Sequence, residues 1–296
     1  MTTISVERSI VSSANTIFMI DCLGEGDKQS ARSRHEEVCD TLMGLSPQSF
    51  THDTSRVYHE RCKHRSDWAT AMDKIRDMSK QGLLPLVFID GHGDPQKGLQ
   101  MPDGGFISWA EYGRDLKAIT YAARGELTVV AAFCHSYAFV GSIVKLEEKL
   151  PFAFYFGYED AVQTATVDHE TGIICDSLLR DGGQSLDFDK LQISRYDEYD
   201  HAIKHISPIV MMRLAPKTLV SIIPQLSKAQ LRARLERDLA QQGQPLGKLR
   251  KAIKEAMRNT NRLAVRLIEV SMHDTERRRR FIRKILSEVK KYSGAA

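Results

Sequence analysis

The chain has 296 residues, 42% of them hydrophobic, enough to bury one large core or two modest ones and to place it among soluble globular proteins. Its five cysteines, Cys22, Cys39, Cys62, Cys134 and Cys175, are odd in number and scattered, which disfavours a zinc ribbon or a redox pair and suits a reducing cytoplasm. Residues 1–13 lack the basic start, apolar stretch and cleavage site of a secretory leader, and the apolar runs at 83–89 and 127–134 fall well short of the roughly 20 residues that span a bilayer, so a cytoplasmic chain without a membrane span is expected.

In chain order, residues 15–22 (NTIFMIDC) predict a buried strand that runs into a Gly-containing loop at 23–27. Residues 30–43 carry helical spacing through Val38, Leu42 and Met43. A weaker strand is expected over 54–59. Residues 66–81 open with Ser66 and Asp67 as a cap, put Trp68, Met72, Ile75 and Met78 on one helical face, and end at Gly82. The run 83–90, rich in Leu, Val, Phe and Ile without alternation, reads as a strand covered on both faces and leads straight into Gly91-His92-Gly93. After turn chemistry at 101–105 (MPDGG), Ser108 caps a helix to about Arg124, with Glu111 at the third helical position completing a capping box. Residues 127–133 form the next buried strand and deliver Cys134. A helix over 137–150, an aromatic strand over 152–156 and a helix over 167–179 follow, before Gly182-Gly183 breaks the chain.

Strands that alternate with helices of this length imply an α/β fold, a mostly parallel sheet with helices on both faces. Ligands and chemistry in such sheets collect at the carboxyl ends of the strands. Both His92 and Cys134 fall there.

Charge divides the chain: residues 1–200 hold 20 Lys+Arg against 31 Asp+Glu, and residues 201–296 hold 22 against 7, so the net +4 hides an acidic body and a basic tail. The expected boundary puts one domain at 1–205 and a basic, mainly helical region at 206–296. In that region Leu231, Leu235 and Leu239 repeat every four residues. Leu249, Ile253, Met257, Leu263, Leu267 and Val270 mark a second helical segment, and Ile282, Ile285, Leu286 and Val289 a third face.

A thiol attacks at neutral pH only when a neighbour takes its proton or stabilises the thiolate, and an imidazole can do so and later protonate a leaving amine. If strands 83–90 and 127–133 are parallel neighbours, their tips lie within one or two strand spacings of about 4.8 Å, close enough for His92 and Cys134 to meet across a substrate bond. Glycines beside His92 permit a tight turn and close approach of a substrate backbone, and the amides of Gly93 and Cys134 are the candidate oxyanion donors.

Around these two residues the sequence resembles the caspase-like cysteine peptidases, including metacaspases and the bacterial CHAT-type enzymes. The resemblance spans roughly residues 15–200 and is carried by LVFIDGHG (86–93), KGLQMPDGGFISWAEY (97–112) and VVAAFCHS (129–136), with Cys134-His135-Ser136 similar to the metacaspase motif at the nucleophile. It implies a caspase-like three-layer fold and peptide-bond hydrolysis through an acyl-enzyme, with a protein or peptide as substrate, no metal or cofactor in the chemistry, and regulation as an intracellular effector. Metacaspases usually place Asp two positions before the nucleophile and Gly after the His-Ser pair; Ala132 and Tyr137 stand here. The loop after the first strand lines the S1 pocket in the family, so Asp21, Glu25 and Asp27 are the candidates for an acidic S1 site and cleavage after Arg or Lys.

Other readings of these features are weaker. Gly24-x-Gly26 lacks the further glycine of a dinucleotide fingerprint and reads as a turn. A metal site from His92, Cys134 and His135 has no clear fourth ligand. Cys22 and Cys175 read as packed thiols. Arg277, Arg278, Arg279 and Arg280, with Lys248, Arg250 and Lys251, are the candidates for docking a regulatory protein or nucleic acid, unless their faces are simply solvated. The competing function is a catalytically silent caspase-like scaffold; an acyltransferase using the same dyad is a third.

Overall fold

Strands that are apolar on both sides need cover on both faces, and the sheet is built accordingly. The computed structural model describes residues 14–44, 56–143, 149–180, 188–199, 201–202, 265, 268–269 and 271–293. The chain divides into two units, Met1–Asp197 and Glu198–Ala296.

In the first unit, six described strands form one sheet in the order β2-β1-β3-β7-β8-β9. β1 (Thr16–Asp21), β3 (Pro85–Asp90), β7 (Thr128–Ala132) and β8 (Phe154–Tyr158) are buried at every position. β2 (Val57–Arg61) is a half-exposed edge parallel to β1. β3 and β7 are parallel neighbours, aligned from Leu86 opposite Thr128 to Asp90 opposite Ala132. β9 (Leu191–Arg195) closes the other edge antiparallel to β8, a strand that the sequence pattern does not announce. The sheet is thus mostly parallel and flanked by helices, as the alternation of elements predicts.

Alternate residues of each strand enter two separate cores, as the two-residue period requires. Phe18, Ile20, Val87, Ile89, Val129 and Ala131 meet Trp68, Met72 and Ile75 of α2 (Arg65–Lys80) and Tyr112, Leu116 and Ile119 of α3 (Trp109–Ala122). Ile17, Met19, Leu86, Phe88 and Val130 meet Val38 of α1 (Ser30–Gly44) and Val167 and Ile174 of α5 (Thr164–Arg180). Each fully buried Leu, Ile, Val or Phe contributes about 1.5–3 kcal/mol, so both helical layers are held firmly to the sheet.

Ser108 caps α3, accepting from the Glu111 amide at 3.3 Å while Glu111 accepts from the Ser108 amide at 3.1 Å. The N-cap of α2 is His64, two residues before the expected Ser66, and Asp67 reaches back to the amides of His64 and Lys63, each at 2.9 Å. Of the helix expected over 137–150, α4 (Ala138–Ile143) is described, and residues 144–148 lie outside the described part.

Between β3 and α3 the chain forms a small antiparallel sheet of β4 (His92–Asp94), β5 (Gly98–Gln100) and β6 (Phe106–Ile107). In the second unit, α6 (Thr275–Ser293) buries Phe281 and Ile285, and Arg277 pairs with Glu198 at 3.0 Å. Most of residues 206–270, with Lys248, Arg250, Lys251 and the helical segments read there, lie outside the described residues. No described helix is long and apolar enough to cross a membrane.

Candidate active site

The aligned ends of β3 and β7 place Asp90 beside Ala132, and from there the chains continue to Gly91-His92-Gly93 and to Phe133-Cys134. Contact between the two tips is direct at Gly93. A Cβ there would lie 1.9 Å from the Cys134 carbonyl oxygen and 2.6 Å from the Phe133 ring. Only glycine allows this approach, so the residue after His92 rests against the backbone of Cys134.

Cys134 is half-buried in a turn braced from below. His135 holds a left-handed conformation with φ of 57°, which side-chain-bearing residues adopt only when their surroundings enforce it. The enforcing contacts are specific. The His135 amide donates to the Asp160 carbonyl at 3.2 Å, and its Nδ1 lies 3.1 Å from the Glu159 carbonyl. A carbonyl only accepts, so this nitrogen carries the proton. Buried Ser136 donates its hydroxyl to the Ala131 carbonyl at 3.0 Å and accepts the Tyr158 amide at 2.9 Å, while its own carbonyl accepts the Tyr155 hydroxyl at 2.9 Å. His135 is thereby committed to the turn. The Cys134 amide pairs with no described backbone carbonyl and stays available as a donor. Its Sγ lies 3.3 Å from the Val162 amide and 3.6 Å from the Val162 carbonyl.

His92 stands more than half exposed, with Nε2 3.1 Å from Asp27 Oδ2. The same Oδ2 accepts the Gly24 amide at 2.7 Å. Burial works to raise the Asp27 carboxyl, but the Gly24 amide and then the His92 ring hold it below its ordinary range. Among the described residues, no hydrogen bond joins His92 to Cys134.

The remaining residues expected at S1 go elsewhere. Asp21 is fully buried; Oδ1 accepts the Leu23 amide at 3.0 Å and Oδ2 faces His59 Nε2 at 3.4 Å, so it lines no open surface. Burial pushes its carboxyl up, and the His59 and Leu23 contacts outweigh that to hold it down. Glu25 is 85% exposed and 3.4 Å from Lys63. It borders a pocket of about 230 Å³ that also takes in Arg61, Lys63 and His64. This lining carries cations beside the acids and is a poor match for a basic side chain.

No family model matches the chain, and no curated protein matches it. Three residues close to Cys134 escaped sequence reasoning: Glu159, Asp160 and Val162, from the segment after β8. Their signal was available, because Glu159-Asp160 follows an aromatic strand at the same carboxyl edge that carries His92 and Cys134. Both acids are exposed and offer their main-chain carbonyls to His135.

Proposed function

We propose that the first unit is a caspase-like cysteine endopeptidase in which Cys134 is the nucleophile and His92 the general base and acid. The observation that carries this reading is the seating of Gly93 on the Cys134 carbonyl at the tips of two neighbouring parallel strands. It puts an imidazole one residue from contact with the thiol's own turn. The left-handed His135 and a Cys134 amide that pairs with no described backbone carbonyl add support.

In the proposed cycle, His92 takes the thiol proton and Sγ attacks the scissile carbonyl. The amides of Gly93 and Cys134 hold the oxyanion, and His92 returns the proton to the leaving amine. Water, activated by His92, then releases the acyl group and restores the thiol. Hydrogen bonds of this kind often close only on a bound substrate, which suits the engagement of Sγ by Val162 in the free protein.

The same engagement favours a second reading, a silent scaffold whose thiol is merely packed. A cysteine-directed electrophile separates the two. The peptidase labels at Cys134, and labelling falls in His92→Ala while Cys22 and Cys175 stay inert; equal labelling with and without His92 contradicts it.

The exposed acids Glu159 and Asp160 make a basic P1 residue the favoured substrate class. In α6, Arg279 and Arg280 are exposed, Arg280 lying 3.9 Å from the likewise exposed Glu276, whereas Arg277 is half-buried against Glu198, so Arg279 and Arg280 are the proposed contacts for a regulatory protein or nucleic acid. For nucleic acid, Arg279→Ala together with Arg280→Ala weakens binding and flattens its salt dependence.

A further inference from the structure

We infer that Asp27 is a positioning residue for His92, the third member of a Cys134–His92–Asp27 constellation, and not part of a substrate pocket. The inference rests on the dyad proposed above.

The geometry carries it. Asp27 Oδ2 accepts the Gly24 amide at 2.7 Å and lies 3.1 Å from His92 Nε2. An ionised carboxylate has no proton to give, so Nε2 must donate to it. In the neutral ring that assignment leaves Nδ1 bare, and Nδ1 is the atom able to take a proton from Cys134 Sγ. Once it does, the ring is an imidazolium with a carboxylate against its far side. The proton later leaves from Nδ1 to the departing amine, and Asp27 itself gains none.

The carboxylate is held where a positioning role requires it. The Asp27 amide donates to the Gly24 carbonyl at 3.3 Å, closing the turn on itself. Gln29 Nε2 donates to the carbonyls of Gly24 and Asp27, each at 3.0 Å, and its Oε1 accepts from Arg61 at 3.2 Å. Lys28 pairs with Asp168 at the start of α5. The loop is therefore tied to β2 and α5, and a third of the Asp27 side chain is left open to solvent. His92 is the opposite case: its side chain is 57% exposed, and Asp27 supplies the polar contact to its ring among the described residues. Packing does little to orient this imidazole, so its orientation depends on the carboxylate. The Gly24 amide and the His92 ring also keep Asp27 ionised against the effect of burial.

The test uses the full chain and iodoacetamide, a small neutral alkylating agent that needs no substrate pocket. The rate of Cys134 carbamidomethylation is followed by peptide mass spectrometry from pH 5.5 to 9 in the wild type, His92→Ala, Asp27→Ala and Asp27→Asn. The expected result is a His92-dependent rate at neutral pH that falls about 10-fold or more in Asp27→Ala. Its pH profile moves toward that of His92→Ala. Asp27→Asn keeps an oxygen for Gly24 and His92 and loses only the charge, so it falls between the two. A residue that lined a substrate pocket, or that only stabilised the loop, would leave this profile unmoved. Buried Cys22 and Cys62 report on folding, since they become reactive if Asp27→Ala opens the core; Asp27→Asn then decides. Wild-type rate and profile in Asp27→Asn and in a folded Asp27→Ala, with His92→Ala slow, overturn the positioning role and leave the dyad intact. An unchanged rate in His92→Ala overturns the dyad and the positioning role together.

Discussion

Two small residues set the reach of the site. Gly93 lies so close to the Cys134 carbonyl that any side chain must push the two tips apart. Gly93→Ala is therefore expected to cost about 1–3 kcal/mol as an overpacked contact, read as a lowered midpoint of denaturant unfolding, and to reduce labelling of Cys134. Ser136 acts from beneath. Replacing it with Ala leaves the Tyr158 amide without its acceptor in a buried position. That loss is expected to destabilise the protein by about 1–3 kcal/mol, measured in the same way. Substrate choice also belongs here: a fluorogenic peptide panel is expected to favour Arg or Lys at P1, and preference for Asp or an apolar residue would contradict the role given to Glu159 and Asp160.

At the level of elements, the β3 and β7 tips were legible because both strands are continuous apolar runs with the candidate residues His92 and Cys134 two positions beyond. The Ser108–Glu111 box was legible because its spacing is local. Three other features were not. β4, β5 and β6 are two or three residues long, too short for any periodicity, and β9 (LQISR) is a mostly polar edge strand. Asp27 was legible as an acid near the site, but its partner depends on how the loop folds over Gly24, which no spacing encodes. The capping box makes a pH prediction. The Ser108 hydroxyl, chiefly, holds the Glu111 carboxyl below its ordinary value, helped by Arg65. A carboxyl depressed in the folded state adds stability above its unfolded pKa of about 4.3 and loses it as pH falls through the folded value. The stability difference between wild type and Glu111→Gln, measured by urea unfolding, is thus expected to narrow from pH 6 toward pH 3.

For the molecule as a whole, one buried ion pair joins three elements, the end of β3 and the two helices α1 and α5 that cover one face of the sheet. Arg34 of α1 meets Asp90 at the end of β3 at 2.6 Å and Thr171 of α5 at 2.9 Å, and its guanidinium lies over the Phe88 ring. Both charged partners are almost fully buried, so removing either strands the other. Arg34→Ala is expected to cost about 3–5 kcal/mol, observed as a large fall in the unfolding midpoint. Asp90 precedes Gly91-His92, so the same loss is expected to loosen the tip that carries the proposed base. The division of charge between an acidic body and a basic tail was plain from composition, whereas this internal pairing joins residues 56 apart in sequence and needs the fold to bring them together.

The most direct measurement of the central claim is the appearance of new amino termini when the full chain is incubated with a denatured protein mixture. The peptidase reading predicts termini that accumulate with the wild type and vanish in both Cys134→Ala and His92→Ala. Termini that persist in Cys134→Ala, or none with a wild type whose Cys134 labels in a His92-dependent manner, would contradict it.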